Sequence, residues 1–390
     1  MRIAYISSPF LADSDLPLLK ELSQMAEVDF YIMIGANSRQ ATLINTSVQP
    51  CGGMFPATQY PALQRLSEFI DLGKVYVINM PKGHDWSPKN LKATWLAARF
   101  IGKRNYDVVH STFHFRYGGF PLYMLRRNMV ITMHDPIPHS SDLNRLNKLH
   151  RWVAFHAADH FIILNRQMRE EFIRTCHLER KHIYEASLSI YTHLQSTVPV
   201  MPEDSGYVLF TGSINPHKGI EYLCKAMEKV HQKMPDKRLI IAGRGKFWFD
   251  MGKYEKQGFV KVINRFVTDE ELAGLMRNAS VVVCPYIDAT QSGVIMSAFA
   301  LAKPVIATNV GALPEMLEHG RHGLIVPPRD SDALAEAIMT LVDSPEKLAL
   351  MSNNIHEDYS SGTHSWHSIA QTYVDIYRQV MKGGKQENKK

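Results

Sequence analysis

The sequence predicts an α/β protein made of two doubly wound, Rossmann-like domains. Its 390 residues exceed what one hydrophobic core usually serves. In both halves, short apolar runs typical of buried strands alternate with stretches of helical periodicity. Residues 196–206 contain prolines, hydroxyl residues and no periodicity, as expected of a linker. We therefore predict domains at 1–195 and 207–362, a final helix at 363–382 and a disordered tail at 383–390.

The first half alternates strands and helices in the order expected for a parallel sheet covered on both faces. Residues 35–64 interrupt this order, because they are rich in Gly, Pro, Thr and Gln and are predicted to form a long loop. The predicted strands cover 2–6, 28–34, 75–78, 107–110, 129–133 and 160–164. The predicted helices cover 16–26, 89–102, 120–127, 143–158 and 166–176.

The second half repeats the alternation. In such a fold, ligands bind beyond the carboxyl ends of the parallel strands, so we expect functional residues in the loops that follow the strands. The predicted strands cover 207–210, 238–242, 260–263, 280–284, 304–308 and 323–326. The predicted helices include 220–230, 269–278, 293–301, 331–341, 345–356 and 366–380.

Composition and charge argue against a disulfide-rich secreted protein, a membrane-spanning protein and a nucleic-acid-binding protein. Hydrophobic residues make up 45% and charged residues 21% of the chain, as in an ordinary globular protein. The four cysteines lack CxxC or Cys/His metal spacing, which indicates a reduced, cytosolic protein. The N terminus lacks the apolar core of a signal peptide, and no stretch approaches about 18 uninterrupted apolar residues, so we expect a cytoplasmic protein. The net charge of +6 is too small to indicate a nucleic-acid partner.

The stretch YVLFTGSINPHKG at 207–219 has the order of an anion-binding site. A predicted buried strand ends at Thr211-Gly212, a short polar loop follows, and Lys218-Gly219 precede a helical pattern. Free N–H groups at a helix start, beside a lysine, suit a phosphate group. The alternative is that the glycines only mark a strand-to-helix turn, as in many α/β proteins.

Other strand ends of the second half carry residues of similar chemistry. Gly243-Arg244-Gly245 ends one strand, either as a plain turn or as a place where a ligand approaches the backbone. Arg265-Phe266 ends another strand, and TNVGALPE at 308–315 ends a third. DATQSG at 288–293 precedes a helix whose start suits a phosphate or sugar hydroxyls, unless Ser292 is simply its cap.

Together these motifs resemble the nucleotide-sugar domain of glycosyltransferase family 4, whose members are retaining enzymes of the GT-B architecture. The similarity runs from about Tyr207 to Leu341, through GSINPHKGIEYL, IIAGRG, VTDEELAGLMRNASVVVCPY and QSGVIMSAFALAKPVIATNVGALPEMLEHGRHGLIVPP. The first half is similar more loosely, through DVVH at 107–110 and ITMHD at 131–135. The final SWHSIAQTYVDIY is similar to the C-terminal helix of the family, which crosses back to the first domain.

The resemblance implies roles for individual residues. Gly212 and Lys218 match the turn and the lysine that hold the donor diphosphate, where positive charge stabilises the leaving group. Arg265 and Phe266 match the wall of the nucleobase site, and His134 matches a histidine that faces the reacting sugar. His134 and Lys218 are therefore the predicted catalytic residues. The predicted donor-binding residues are Gly212, Ser213, Lys218, Gly243, Arg244, Arg265, Phe266, Gln291, Ser292, Gly293, Val294, Ser297 and Glu315.

The chain departs from the family pattern in the acidic part of the donor site. The family usually has two glutamates eight positions apart, and here Ala289 and Ser297 stand in their places. Asp288 could supply one missing carboxylate if the loop is shifted. The QSGVI motif is similar to a subgroup in which a serine-rich loop replaces the acidic pair.

Two further departures concern a phosphate charge and a loop. Ser213 stands where the family often has an arginine, so Arg244 or Arg265 could supply the missing charge. ASLSIY at 186–191 occupies the place of the usual Asn-Gly.

Some candidate motifs have a structural alternative that we prefer. His110 and His114 are expected to pack or cap rather than to touch a ligand. The triplets Asp13-Ser14-Asp15 and Asp330-Ser331-Asp332 have the DxD pattern that holds a metal in other glycosyltransferases, but each precedes a helix, so we expect capping. We therefore predict no metal site, and no cofactor besides the nucleotide-sugar co-substrate.

A basic and aromatic stretch lies in the first domain. It could rest on anionic lipid headgroups near a lipid-linked acceptor, or it could be a solvated helix face. Its residues are Trp86, Lys89, Lys92, Trp95, Arg99, Phe100, Lys103 and Arg104.

These expectations combine in a metal-independent, retaining, hexosyltransferase-type glycosyltransferase. It would move a sugar from a nucleoside-diphosphate sugar to a glycan or lipid-linked acceptor, in bacterial polysaccharide biosynthesis or lipid-linked glycan synthesis. Contact with anionic lipid would make it peripheral on the inner face of the plasma membrane. A non-catalytic nucleotide-sugar-binding subunit is the first alternative, since Ser213, Ala289 and Ser297 replace charged residues of the family. A nucleotide-sugar epimerase of the same architecture is the second.

Overall fold

The computed structural model describes residues 1–35, 43–44, 51–82, 87–126, 128–137 and 145–387, the last four of these as helix backbone only. The chain divides into two compact units. Unit 1 contains Met1–Ser187 together with the C-terminal stretch Trp366–Lys390, and unit 2 contains Leu188–Ser365. The division lies a few residues before the predicted linker at 196–206, and the last helix belongs to unit 1.

Unit 1 contains an eight-stranded sheet in the order β3-β4-β2-β1-β5-β6-β7-β8. All neighbours pair in parallel except the edge strand β3, which is antiparallel to β4. The sequence prediction missed β3, because it lies inside the predicted loop 35–64, and it missed β8. The strands are β1 Arg2–Ser7, β2 Glu27–Ile34, β3 Gly53–Pro56, β4 Val75–Asn79, β5 Val108–Ser111, β6 Met129–Met133, β7 His160–Ile163 and β8 His182–Glu185.

The helices of unit 1 follow the predicted positions with one exception. The predicted helix at 120–127 is instead a 3-10 helix over Tyr117–Leu125, which contains Gly118, Gly119 and Pro121, residues that disfavour an α-helix. The α-helices are α1 Ala12–Met25, α2 Pro88–Gly102, α3 Arg145–Ala157, α4 Arg169–Cys176 and, at the C terminus, α13 Trp366–Glu387. Helix α13 extends into the stretch 383–390 that the sequence predicts as a disordered tail.

The strand order assigns these helices to two faces of the sheet. The connections from β4 to β5 and onward to β8 all run in one direction, so right-handed crossovers place α2, the 3-10 helix, α3 and α4 on one face. The connection from β1 to β2 runs the opposite way and places α1 on the other face. Helix α13 packs against α1 there, and Glu21 lies 3.2 Å from His367. Unit 1 is therefore doubly wound, as predicted.

Unit 2 contains a six-stranded, fully parallel sheet in the order β11-β10-β9-β12-β13-β14. All six strands lie within about one residue of their predicted positions, because most of them are buried apolar runs that end at a glycine, a proline or a polar residue. The strands are β9 Tyr207–Thr211, β10 Leu239–Ala242, β11 Val260–Ile263, β12 Ala279–Cys284, β13 Val305–Thr308 and β14 Gly323–Val326.

The helices of unit 2 cover this sheet, and its buried strands form the centre of one continuous apolar core. The helices are α5 His193–Ser196, α6 Ile220–Lys233, α7 Gly252–Glu255, α8 Asp269–Asn278, α9 Gly293–Ala300, α10 Leu313–Met316, α11 Ser331–Val342 and α12 Pro345–Ser360. Across the described parts of both units, no helix combines the length and the apolar character needed to cross a lipid bilayer.

Candidate functional site

The candidate site of unit 2 lies where its strand order reverses. Strand β9 is central, with β10 on one side and β12 on the other. The loops 212–219 and 285–292, which follow β9 and β12, therefore flank the topological switch point at the carboxyl edge of the sheet. In open α/β sheets this is the place where ligands bind.

Glycines allow the loops at this edge to approach one another by their backbones. Gly219 has φ +65°, and a Cβ there would lie 1.8 Å from the carbonyl oxygen of Pro285. A Cβ on Gly243 would lie 1.8 Å from the carbonyl oxygen of Gly212. The amide of Ile287 donates a hydrogen bond of 2.8 Å to the carbonyl of His217. The loops after β9, β10 and β12 thus form one continuous backbone surface.

Lys218 lies within this surface. Its Nζ is 3.7 Å from the centroid of the Tyr286 ring, a cation–π contact. Burial lowers the pKa of Lys218, and among the described residues no carboxylate pairs with its ammonium group. The next residue, Gly219, is the N-cap of α6, so the free N–H groups of the first turn of α6 follow Lys218 directly. The result is a half-buried cation beside a helix N terminus, for which the described part of the chain provides no counter-ion.

Ser292 and Gln291 form the opposite side of the switch point. Ser292 Oγ accepts a hydrogen bond of 3.4 Å from the amide of Ile295, so it caps α9, as the structural alternative predicts. The same hydroxyl lies 3.3 Å from Tyr286 Oη. Gln291 Nε2 and Asn215 Oδ1 are buried and have no hydrogen-bond partner among the residues that the structure describes. The loops on the two sides of the switch point thus each contain a buried polar atom that no described residue satisfies and that a polar ligand could bind.

Several other predicted donor-binding residues lie at the same edge. Arg244 is exposed between Gly243 and Gly245, and its carbonyl accepts a hydrogen bond of 3.0 Å from Ile214. Val294 contacts the loop after β9, because a Cβ on Gly212 would lie 3.6 Å from its Cγ2. Gly293, at the start of α9, approaches Tyr191 so closely that a Cβ would lie 2.9 Å from the tyrosine Oη.

Ser213 lies in the loop after β9, and Glu315 lies in the short helix α10 that follows β13. The hydroxyl of Ser213 lies 2.9 Å from Asn215 Nδ2 and is exposed. Glu315 is exposed in the first turn of the short helix α10. A Cβ on Gly311, in the preceding loop, would lie 1.5 Å from the carbonyl oxygen of Ala289, which brings that loop against the one after β12.

Arg265 and Phe266 follow the edge strand β11. The guanidinium of Arg265 forms a bidentate ion pair with Glu271, at 2.8 and 2.6 Å. Glu271 closes the capping box of α8 with Thr268, and Arg265 holds its pKa down at about 2. Arg265 is therefore engaged in capping a helix, whereas the Phe266 side chain is 61% exposed.

The positions of the missing glutamates are occupied by buried side chains. Ala289 is 8% exposed, and Ser297 is 6% exposed and donates a hydrogen bond of 2.9 Å to the carbonyl of Gly293. Asp288, the predicted replacement, is exposed in the loop after β12. The hydroxyl of Ser297 is thus used within α9.

His134 lies in unit 1, directly after β6. Burial lowers its pKa to about 4, although Asp135 opposes the shift, so the ring is neutral at physiological pH. Its Nε2 is buried and has no hydrogen-bond partner within the described part of the chain. By contrast, His110 is satisfied on both nitrogens, by Thr132 at 2.8 Å and by Tyr377 at 2.7 Å. His110 is therefore a packing residue, as predicted.

The two DxD triplets have different structural roles. Asp330 caps α11 by accepting hydrogen bonds from the amides of Asp332 and Ala333, as predicted. The prediction of capping is wrong for the first triplet. Asp15 is buried and accepts hydrogen bonds from Ser7 Oγ and Tyr5 Oη, while the N-cap position of α1 has no side-chain bond.

Two tyrosines that were not among the predicted site residues lie at this site: Tyr286 touches Lys218, and Tyr191 touches Gly293. Tyr286 comes two residues after Cys284, the end of β12, and its ring is fully buried under the ammonium group. The sequence signal that could have identified Tyr286 is an aromatic residue two positions after β12, a strand that borders the switch point. Tyr191 reaches Gly293 only through tertiary folding, so no local pattern marks it.

Comparisons with known families match both halves of the chain. A family described as Glycosyl transferases group 1 matches residues 205–344, and Glycosyltransferase Family 4 matches residues 55–185. The phosphatidyl-myo-inositol mannosyltransferase of Mycobacterium leprae is 31% identical over 202 residues, which are 47% of this chain and 50% of that protein. The chain thus spans about half the length of the curated relatives it matches.

Solved structures share the fold over nearly the whole chain. Sucrose-phosphate synthase from Thermosynechococcus elongatus superposes with a TM-score of 0.67 at 19% identity, covering 98% of this chain and 100% of that one. HepE of Anabaena, solved in complex with UDP, superposes with a TM-score of 0.65 at 17% identity, covering 97% and 100%. The chain therefore has the GT-B fold of these structures, and each of its halves matches a glycosyltransferase domain family.

Proposed function

We propose that this protein is a retaining glycosyltransferase that moves a sugar from a nucleoside-diphosphate sugar to an acceptor hydroxyl. The observation that carries the proposal is Lys218, a half-buried cation without a described carboxylate partner at the switch point of unit 2. A buried charge without a counter-ion is unfavourable, so an anionic ligand at this place would stabilise the folded protein.

The diphosphate of the donor is the group that fits Lys218 best. The N–H groups at the starts of α6 and α9 and the amide of Gln291 supply donors, while Lys218 supplies full positive charge. The same groups would stabilise the negative charge that develops on the leaving diphosphate, so the transfer needs no metal ion in this proposal. HepE, which shares the fold, was solved with UDP and with UDP-glucose, so we take a uridine nucleotide as the first donor to test.

The proposed reaction retains the configuration of the sugar. The leaving phosphate oxygen accepts the proton of the acceptor hydroxyl on the face from which it departs, and no carboxylate nucleophile is required. We assign His134 to the reacting sugar, where its neutral ring can exchange a hydrogen bond with a sugar hydroxyl through the unsatisfied Nε2.

We place acceptor binding in unit 1. The relative from Mycobacterium leprae is named as acting on phosphatidyl-myo-inositol, a lipid. By analogy we propose a glycan or lipid-linked acceptor, as in polysaccharide biosynthesis, with a peripheral contact between the basic helix α2 and anionic lipid. Trp86 of the predicted stretch lies outside the described residues, but Trp95 is exposed and Arg99 stacks on it at 4.8 Å.

A non-catalytic nucleotide-sugar-binding subunit is the second candidate. Ala289 and Ser297 favour it, because both side chains are buried and neither can replace the carboxylate that the family pattern places there. Such a subunit would bind the donor through Lys218 without releasing free nucleotide.

The first test is a thermal-shift panel with UDP, GDP, ADP, TDP and CMP on the wild type and on Lys218→Ala. A ligand at 100 times its dissociation constant should add about 2.7 kcal/mol to the free energy of unfolding. We expect one diphosphate to stabilise the wild type and not Lys218→Ala. The matched control is Lys303→Ala, since Lys303 is also a buried lysine of unit 2 with a lowered pKa, but it donates to the carbonyl of Ala279.

The chemistry is then tested with the matching nucleotide sugar and candidate acceptors. Release of nucleotide together with a glycosylated product supports the transferase. Binding without any release supports the binding subunit, and an altered sugar without transfer indicates an epimerase. If no nucleotide stabilises the wild type, the proposed function is wrong.

A further inference from the structure

Tyr191 lies against the first turn of helix α9, at the switch point of unit 2. A Cβ on Gly293, the first residue of α9, would lie 2.9 Å from the Tyr191 Oη and 3.2 Å from its Cε2. Glycine at position 293 therefore allows the tyrosine hydroxyl to approach the helix closely, because a side chain there would meet it. Tyr191 is only partly buried, so it borders the surface of the site.

The backbone of Tyr191 is fixed within unit 2. Its amide donates a hydrogen bond of 3.4 Å to the carbonyl of Met296 in α9, and its carbonyl accepts one of 3.1 Å from the amide of Leu194 in α5. The neighbouring side chains of Ile190 and Leu194 are buried in the core of the unit. These contacts hold the tyrosine against α9, so its hydroxyl is a preorganised part of the site.

The start of α9 borders the loop that contains Lys218. Val294 Cγ2 would lie 3.6 Å from a Cβ on Gly212, in that loop. The amides of Gly293 and Val294 occupy the first two positions of α9 and so have no partner within the helix. A ligand held by these amides and by Lys218 would therefore have the hydroxyl of Tyr191 beside it.

The Tyr191 hydroxyl lies where a glutamate at position 297 would place its carboxylate. Positions 293 and 297 are one turn apart on the same side of α9, and helical side chains lean toward the N terminus of their helix. A glutamate at 297 would thus extend over Gly293, the residue that Tyr191 contacts. Ser297 is too short to do so, and its hydroxyl donates to the carbonyl of Gly293 at 2.9 Å. The tyrosine fills the space instead.

We propose that the hydroxyl of Tyr191 binds a hydroxyl group of the nucleotide-sugar donor, in place of the carboxylate that Ser297 lacks. This inference rests on the proposed function, because it concerns the same donor site. A phenol both donates and accepts hydrogen bonds, so it can pair with a sugar hydroxyl without adding negative charge beside the diphosphate. The partner hydroxyl belongs either to the ribose or to the transferred sugar.

The test measures the affinities of UDP and UDP-glucose by titration calorimetry, for the wild type, Tyr191→Phe and Asp288→Asn. Tyr191→Phe removes only the hydroxyl, and it should weaken binding about three- to tenfold, the effect of losing one hydrogen bond. Asp288 is the competing source of the contact, and Asp288→Asn should bind as the wild type does. The matched control is Tyr359→Phe, which removes a hydroxyl that donates to the Met316 carbonyl at 2.7 Å elsewhere in unit 2. If the nucleotide panel selects another diphosphate, that nucleotide and its sugar replace the two probes.

The two sources of the partner hydroxyl predict different results. With the ribose as the source, Tyr191→Phe weakens UDP and UDP-glucose equally. The wild type then discriminates against 2′-deoxy-UDP or 3′-deoxy-UDP, and Tyr191→Phe does not. With the transferred sugar as the source, Tyr191→Phe weakens UDP-glucose alone. Both results support the proposal.

A rescue experiment separates ligand binding from packing. Tyr191→Ala should weaken binding, and adding Ser297→Glu should restore it, because a carboxylate then enters the space that the tyrosine leaves. Adding Ser297→Met, a side chain of similar length without a carboxylate, should restore nothing. Thermal melting without ligand shows that each variant is folded.

The proposal and the proposed function fail in different ways. Wild-type affinity of Tyr191→Phe for both ligands, with binding lost in Lys218→Ala, would overturn the role of Tyr191 and leave the donor site intact. Loss of binding in Asp288→Asn but not in Tyr191→Phe would assign the contact to Asp288 and also overturn the proposal. A wild type that binds no nucleotide would overturn the proposed function itself.

Discussion

The carboxyl edges of the two sheets are built in opposite ways. In unit 2, the edge is made by backbone meeting backbone, as where Gly219 lies against the carbonyl of Pro285. In unit 1, side chains fill the same position. Asp15 accepts hydrogen bonds from Ser7 and Tyr5 there, and His110 joins Thr132 of β6 to Tyr377 of α13.

This difference decides which polar groups stay open to a ligand: in unit 1 it is His134 Nε2, at the end of β6, that has no partner among the described residues. The side-chain network of unit 1 satisfies Asp15 and His110 internally, so their role is structural. Among the described residues, the backbone-lined edge of unit 2 leaves Lys218 without a carboxylate partner and Gln291 Nε2 without a hydrogen-bond partner. Close backbone packing fixes the positions of these polar groups without giving them hydrogen-bond or ion-pair partners. The groups therefore remain able to bind a polar or anionic ligand.

The largest expected effect comes from removing the charge of the backbone-lined edge. Lys218→Ala should lower the rate of sugar transfer on the order of 10²–10³-fold, as removal of a positioned electrostatic stabiliser does in other enzymes. Transfer rates at saturating donor measure it. Lys303→Ala is the control, because its ammonium group donates to the Ala279 carbonyl away from the switch point, and its rate should be nearly unchanged. A similar loss in both variants would mean that only stability was affected.

The next effect tests the backbone packing itself. Gly219→Ala should destabilise unit 2 by about 3 kcal/mol, because it combines a left-handed φ with a clash against the Pro285 carbonyl. Gly258→Ala is the matched control. Gly258 has φ +80°, but no atom of the described residues lies within 4 Å of a Cβ there, so only about 1 kcal/mol of backbone strain is expected. Chemical denaturation measures both. Equal losses of stability in the two variants would show that the close approach of Gly219 to the Pro285 carbonyl does not contribute to the effect of the substitution.

The free energy of unfolding of unit 1 should depend on pH through the buried carboxyl group of Asp15. Burial raises the pKa of Asp15 to about 7, while the unfolded value is about 3.9. Between these values the folded state binds the extra proton, so the free energy of unfolding falls as the pH rises through this window. Asp15→Asn cannot ionise, and it should therefore gain about 2 to 3 kcal/mol relative to the wild type between about pH 5 and pH 8.

Thermal melting of the wild type and Asp15→Asn across this pH range measures the relative gain. Comparing the two proteins at each pH cancels the other titrating groups. A difference in stability that does not change with pH would mean that Asp15 is ionised in the folded protein at all of these values.

The smallest effect concerns the ion pair between Arg265 and Glu271 at the edge strand of unit 2. Glu271→Gln should cost about 0.5 kcal/mol, since the pair is partly exposed and glutamine can still complete the capping box. Because Arg265 lowers the pKa of Glu271 to about 2, the contribution of the pair should be lost as the pH falls from about 4.5 toward 2. Urea denaturation at several pH values tests this, and a decrease in nucleotide binding would instead place Arg265 in the donor site.

Local patterns of the sequence determined most of unit 2. Most strands there are short buried apolar runs followed by glycine, proline or a polar residue, and the capping residues Ser292, Thr268 and Asp330 mark helix starts. The same patterns located Gly212, Gly243 and Lys218 at the carboxyl ends of strands. These features depend on neighbours in sequence, so they can be predicted without knowing the fold.

Only the tertiary structure decided which residues, distant in sequence, contact these loops and helix starts. Tyr286 lies under Lys218, Tyr191 blocks a side chain at Gly293, and Asp15 is buried where a helix cap was expected. Strand β3 was missed because it lies in a polar segment and is held by pairing with β4. Each case depends on contacts between residues far apart in the chain. The sequence alone thus determined the fold class and the loops that form the site, and only the folded chain decided which side chains those loops bury, satisfy or leave open for a ligand.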